Sequence, residues 1–254
     1  MKHTVKWMLV ASLAVSLFAC QKDKNENSKA GRFYGPSQSL GDGQVRSFID
    51  IDATGKPHQM GIAISEETMN SLPDAEGHYD KALEIPAQGL AVTPFKYILF
   101  DYNPHGHEPD GVYTVPHFDF HFYKTTLAET LAITPGDPKS EIYPNPAYVP
   151  ANFFPGGGVP QMGNHWIDPL APELNGQPFT ATFLYGSYDG KVTFMEPMIT
   201  VDYIKSTEAV ETAIKQPIKY SPAGNYPTSY IIHHNHAAKQ YEIMIADFVA
   251  RTAD

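Results

Sequence analysis

The chain has 254 residues, 42% hydrophobic and 18% charged, with a formal charge of −10. Its 14 Phe and 15 Tyr supply enough apolar surface for a packed core, which excludes general disorder, while 22 Pro and 19 Gly exclude long coiled coils. An acidic balance with no Lys/Arg-rich run beyond the first 30 residues argues against nucleic acid as a partner.

Lys2, His3 and Lys6 precede an apolar run from Trp7 to Ala19 that ends at Cys20. Positive residues followed by an apolar stretch too short to span a bilayer have the order of an export signal. Leu17-Phe18-Ala19-Cys20 resembles the lipobox of bacterial lipoproteins. That resemblance implies removal of residues 1–19 as a signal peptide and lipidation of Cys20. The lipid would anchor the protein to a membrane of the cell envelope, at the outer membrane or cell surface. Residues 20–31 are polar and charged and read as a flexible tether, and 32–254 read as a single β-rich domain. Cys20 is the only cysteine, so the domain is expected to fold without an internal disulfide and to lack thiolate catalysis and cysteine-bound zinc.

Gln44 to Asp52 and Met60 to Ser65 are predicted as a hairpin around Thr54-Gly55-Lys56-Pro57, and Ser65 to Pro73 as a short capped helix. Phe95 to Tyr102 and Val112 to Tyr123 are strand-like. Residues 134–172 are rich in proline and glycine and are expected to form a long functional loop. Phe179 to Tyr188 and Lys191 to Val201 flank Asp189-Gly190, the strongest hairpin signal in the chain. Thr207 to Lys215 suggests a short helix, and Tyr226 to His234 with Gln240 to Ala250 a last hairpin. Recurrent strands separated by turns predict a mainly β fold, a single β-sandwich or barrel-like domain with a few short helices.

The informative stretch is Pro116-His117-Phe118-Asp119-Phe120-His121-Phe122-Tyr123. Alternation at period two puts Phe118, Phe120 and Phe122 on one face and His117, Asp119, His121 and Tyr123 on the other. Imidazole and carboxylate groups bind metals or move protons, where a solvent-facing strand would carry Lys, Thr or Ser. Residues at i and i+4 stand roughly 13 Å apart along a strand, so His117 and His121 converge on one ion only through twist or a bulge. Asp119 between them is then a ligand or an orienter; two separate polar interactions are the alternative.

Further candidates lie elsewhere. His105 and His107 sit in a Gly/Pro loop just before this strand, and His165 follows the glycine-rich run Gly156 to Gly163. Glu196 shares a face with Val192 and Phe194, so it either meets a metal or a histidine or is released to water beside Pro197. His58, His78, His233, His234 and His236 read as surface or turn residues. Neither a Gly-x-Ser-x-Gly elbow nor a His-Glu-x-x-His helix occurs.

Gly106-His107-Glu108-Pro109 with Gly111-Val112-Tyr113, the Pro116 to Tyr123 block, Met162-Gly163-Asn164-His165-Trp166, and Glu196-Pro197-Met198 resemble, in this order, a family of uncharacterised exported bacterial proteins. The resemblance implies one domain with a shared site and supplies no reaction. A looser analogy is to cupins, from which the chain departs because its early His-x-His, His105-Gly106-His107, lies in a loop.

The leading expectation is one divalent transition metal held by His117, His121, His165 and Glu196, with Asp119 and His107 in reserve. Neutral imidazoles and a carboxylate suit zinc, iron, manganese, nickel or copper. A metal-dependent enzyme of unknown substrate follows, with Asp119 or Tyr123 handling protons. The alternative is a non-catalytic surface module for a small-molecule ligand or partner, in which the histidine-bearing strand is a structural polar network.

Overall fold

The computed structural model describes residues 30–75 and 77–253. The export signal, Cys20 and most of the tether therefore lie outside the described residues. In chain order the strands are β1 (Gly31–Tyr34), β2 (Gln38–Leu40), β3 (Gly43–Ile51), β4 (Pro57–Ser65), β5 (Tyr79–Glu84), β6 (Tyr97–Asn103), β7 (His117–Tyr123) and β8 (Phe154–Val159). They continue with β9 (Gly163–Ile167), β10 (Ala181–Tyr188), β11 (Lys191–Thr200), β12 (Ala209–Ala213), β13 (Gly224–Tyr226), β14 (Ser229–Asn235), β15 (Gln240–Ala246) and β16 (Val249–Arg251). Among the described residues four short α-helices interrupt them: α1 (Glu66–Asn70), α2 (Ala87–Val92), α3 (Leu127–Leu131) and α4 (Val201–Ser206).

Two antiparallel sheets face each other. The first runs β1-β3-β4-β15-β14-β12, with β2 on β3; the second runs β5-β6-β7-β11-β10-β9-β8. Between them lies one large core, because each sheet turns one apolar side inward. Met60, Ile62, Ile64, Ile232, Ile243 and Ile245 of the first sheet meet Ile98, Phe100, Phe118, Phe120, Phe122 and Met195 of the second. Three inward phenylalanines thus fix the register of β7, since a slip of one residue would drive its imidazoles and carboxylate into the core. The expected β-sandwich is the architecture found.

Local chemistry explains most boundaries. Asp189 and Gly190 both take positive φ, at 50° and 73°, as a two-residue hairpin turn that matches strand twist requires. Ser65 caps α1 by accepting from the Thr68 amide, and Thr200 caps α4 in the same way from Tyr203. Two expectations are corrected. Residues 134–172 are not a featureless loop: besides short 3₁₀ turns they contain the hairpin β8–β9 at the rim of the second sheet. Pro155 is tolerated there because β8 is the terminal strand, with a row of backbone groups that need no partner. Thr207 to Lys215 is not helical either. Ala209–Ala213 forms β12, paired in register with β14, so ladder bonds to an open sheet edge override a weak local preference.

Candidate metal centre

The outer face of the second sheet is not a solvated surface. It forms the floor of a cavity of about 790 Å³, covered by the loop after β6, by α3 and by the curled β8–β9 hairpin. All seven residues of β7 are consequently buried. Alternation and register bring the polar groups to this floor: Asp101 faces Asp119, Asn103 faces His117, and Leu99 faces His121. On the other side of β7, the register that pairs Met195 with Phe122 and Met198 with Asp119 sets Glu196 opposite His121. Glu196 therefore lies inside a strand, 1% exposed, rather than released to water by Pro197.

His165 comes from β9, three strand spacings from β7, a distance of roughly 14 Å in a flat sheet. Its ring centroid is nevertheless 6.3 Å from that of His121. The sheet closes this gap by curling at Gly186 of β10. Gly186 is paired with both His165 and Phe194, and the strand register shifts immediately after it. A Cβ at Gly186 would overlap the Phe194 ring, which stands edge-on to His121 at 5.1 Å and to His165 at 5.2 Å. The missing side chain lets one phenyl ring back both imidazoles.

The result is a triad of His121, Glu196 and His165. His121 Nε2 lies 3.2 Å from Glu196 Oε1, and His165 Nε2 lies 3.6 Å from Glu196 Oε2. Ligands bound tetrahedrally at about 2.1 Å are separated by roughly 3.4 Å, so these spacings fit the edges of a metal polyhedron. Both ring nitrogens of His121, Nδ1 of His165 and Oε2 of Glu196 have no hydrogen-bond partner among the described residues. Burial pushes the His121 imidazole down to about 4 and that of His165 to about 3. Burial, reinforced by the charge of Asp119, pushes the Glu196 carboxyl well up. With only protein groups present, the triad is thus two neutral imidazoles around a reluctant carboxylate, an arrangement that a cation would stabilise.

His117 does not join this triad; the separation along the strand stays open. It groups instead with Asp119 and His107, the two reserve ligands. His117 Nε2 stands 3.2 Å from Asp119 Oδ1, and His107 Nε2 stands 3.4 Å from Asp119 Oδ2. Asn103 orients the carboxylate by donating to Oδ2 at 2.9 Å. Burial would raise Asp119, but His117 and His107 together hold it well below the usual carboxylate range. His107 is raised, its partial burial outweighed by its contact with Asp119.

A third group adjoins the second. Asp80, Asp101 and Asp119 lie directly opposite one another on β5, β6 and β7, an unfavourable row of like charges. Burial, the contact with Asp80 and the charge of Asp119 push Asp101 up to about 9, so it holds a proton at neutral pH. His78 Nδ1 reaches both Asp80 and Asp101 at 3.4 Å, which places this expected surface residue at the cavity edge. Asp80, Asp101 and Asn103 are site residues the sequence reading passes over, although Asp101 and Asn103 alternate with the apolar residues of their strand.

The remaining candidates fall outside. Tyr123 stacks on Tyr97 at 4.8 Å and stays off the cavity wall; burial raises its phenol well above the ordinary value, leaving it no role as a base. His105 is exposed, 3.8 Å from Asp74. His234 and His236 sit on the far sheet with Glu66, each with a carboxylate partner, at 2.9 Å to Glu66 and 2.7 Å to Glu208. No helix among the described residues is long and apolar enough to cross a membrane. Compared with protein-family models, curated proteins and solved structures, the chain finds no match. Several His/Asp/Glu groups that could hold a metal ion are what the fold supplies, and the functional reading rests on their geometry.

Proposed function

We propose that the protein binds a divalent transition metal through His121, His165 and Glu196 and uses it on a small molecule admitted to the 790 Å³ cavity. One observation carries this reading: one ligand atom each from His121, His165 and Glu196, on three different strands, lie within 4.8 Å of one another, and two of the facing atoms, His121 Nε2 and Glu196 Oε2, are buried with no hydrogen-bond partner among the described residues. Leaving such atoms unsatisfied costs about 1–3 kcal/mol each, so native proteins supply a partner. Three protein ligands leave a coordination position for water or substrate, and a metal held this way supplies Lewis-acid polarisation or an ionised water.

The chain's own residues define the rest. Leu131, Met162, Ile167, Leu184 and Met198 line the walls, so the ligand has a substantial apolar body with its polar group directed at the floor. Asp101 holds a proton within the same cavity and can give it to a leaving or developing oxygen. The lipobox resemblance of residues 17–20 supports an exported, lipid-anchored setting for this chemistry. Cobalt(II) added to chelator-stripped, untagged protein tests the metal. Visible ligand-field bands that disappear in Glu196→Gln and His165→Ala are expected. Absence of bands in the wild type, or their persistence in both variants, would identify the triad as a hydrogen-bonded polar network.

A further inference from the structure

We infer that the cavity holds a second divalent cation, bound by His107, His117 and Asp119, beside the first. The inference rests on reading the cavity as a metal centre but uses separate ligands. Its basis is the direction of two lone pairs. His117 Nδ1 lies 2.8 Å from the Val115 carbonyl and His107 Nδ1 lies 2.7 Å from the Glu108 carbonyl. A carbonyl oxygen only accepts, so both Nδ1 atoms carry the hydrogen. In the neutral rings both Nε2 atoms are then bare acceptors, and both are aimed at the acceptor oxygens of Asp119. Fixing a ring through Nδ1–H to a carbonyl is the usual way a protein orients a metal-binding imidazole.

The site is built, not incidental. His117 is fully buried and Asp119 is 4% exposed, and His117 Nε2 and Asp119 Oδ1 have no hydrogen-bond partner among the described residues. Gly106, at φ 72°, folds the loop so tightly that a Cβ would overlap the Tyr113 carbonyl. That fold, closed by the His107 amide on the same carbonyl, brings the His107 ring to 4.7 Å from His117.

A single dication meets both Nε2 atoms and the Asp119 carboxylate at once. Asp119 and His121 are alternate residues of one strand, roughly 7 Å apart, so the two cations would face a common substrate.

Elemental analysis of full-length, untagged protein, stripped and then reconstituted with zinc, tests the inference by counting ions per chain. Two are expected in the wild type. One is expected in His107→Ala, whose ring lies on an exposed loop, one in the near-isosteric Asp119→Asn, and one in Glu196→Gln. A single wild-type ion that survives His107→Ala and Asp119→Asn but leaves with Glu196→Gln overturns the second site and leaves the first standing. A single ion lost with Asp119→Asn and retained in Glu196→Gln upholds this site and overturns the first. No bound zinc overturns both. Circular dichroism of each variant confirms that the fold is retained.

Discussion

Two glutamates, each 1% exposed, sit in opposite sheets of this sandwich with opposite surroundings. Glu242 of β15 receives Arg32 Nη1 at 2.6 Å, Gln240 Nε2 at 2.6 Å and Asn235 Nδ2 at 3.0 Å. Arg32 is itself clamped by a two-point contact with Asp50, at 2.8 and 2.7 Å. Burial alone would raise the Glu242 carboxyl, but these donors pull it below its ordinary value. Among the described residues Glu196 of β11 has no such donors, only two imidazoles, and its carboxyl is driven up. The chain can therefore satisfy a buried carboxylate where the role is structural. Where it does not, at Glu196, a cation is the partner we propose.

The largest expected effect comes from breaking the unsatisfied side of this pair. Metal at a thousandfold excess over its dissociation constant stabilises a protein by about 4 kcal/mol. For a domain of this size that is a rise in melting temperature of roughly 8–16 °C. Glu196→Gln should lose the first ion's share of that rise while its metal-free form melts no lower than metal-free wild type, as calorimetry with and without chelator would show. A metal-free Glu196→Gln protein that is strongly destabilised would mean Glu196 is structural after all.

Glu242→Ala is predicted to behave in the opposite sense. Removing an acceptor shared by a charged and two neutral donors should cost about 2–3 kcal/mol in urea unfolding, equally in metal-free and metal-loaded protein. Gly186→Ala tests how the curl of the sheet makes the site. Overpacking against Phe194 should cost about 1–3 kcal/mol and weaken metal binding by tenfold or more, measured by competition with a chromophoric chelator. Asn103→Ala, which frees Asp119 without removing a ligand, should weaken the second ion by about 10–100-fold and leave the first unchanged.

The smallest effect is a pH dependence. The Glu242 carboxyl is lower in the folded than in the unfolded chain. Its stabilisation is therefore fully present above the ordinary carboxylate value of about 4.3 and is lost as the pH falls through the folded value. Wild-type stability should accordingly decline in acid more steeply than that of Glu242→Gln.

Where periodicity governs structure, the sequence is readable. Phe118, Phe120 and Phe122 announce the buried face of β7, and so place His117, Asp119 and His121 together on the other. The same alternation puts Glu196 on a face it cannot share with water. What periodicity cannot convey is curvature. His165 reaches His121 only because Gly186 lacks a side chain, and that depends on a ring from another strand. The division of the histidines into two groups follows from strand rise, while the arrival of His107 depends on a loop whose path is set by Gly106. Asp101 hides in a run whose apolar neighbours dominate the pattern, and Ala209–Ala213 looks helical because its sheet partner is distant in the chain.

The central claim is tested most directly by crystals of the full-length protein grown with zinc, with anomalous scattering recorded at the zinc edge. The account predicts a peak enclosed by His121 Nε2, His165 Nε2 and a Glu196 oxygen, each at about 2.0–2.2 Å. A metal-replete crystal with no peak there, and Glu196 simply sharing a proton with His121, would contradict it.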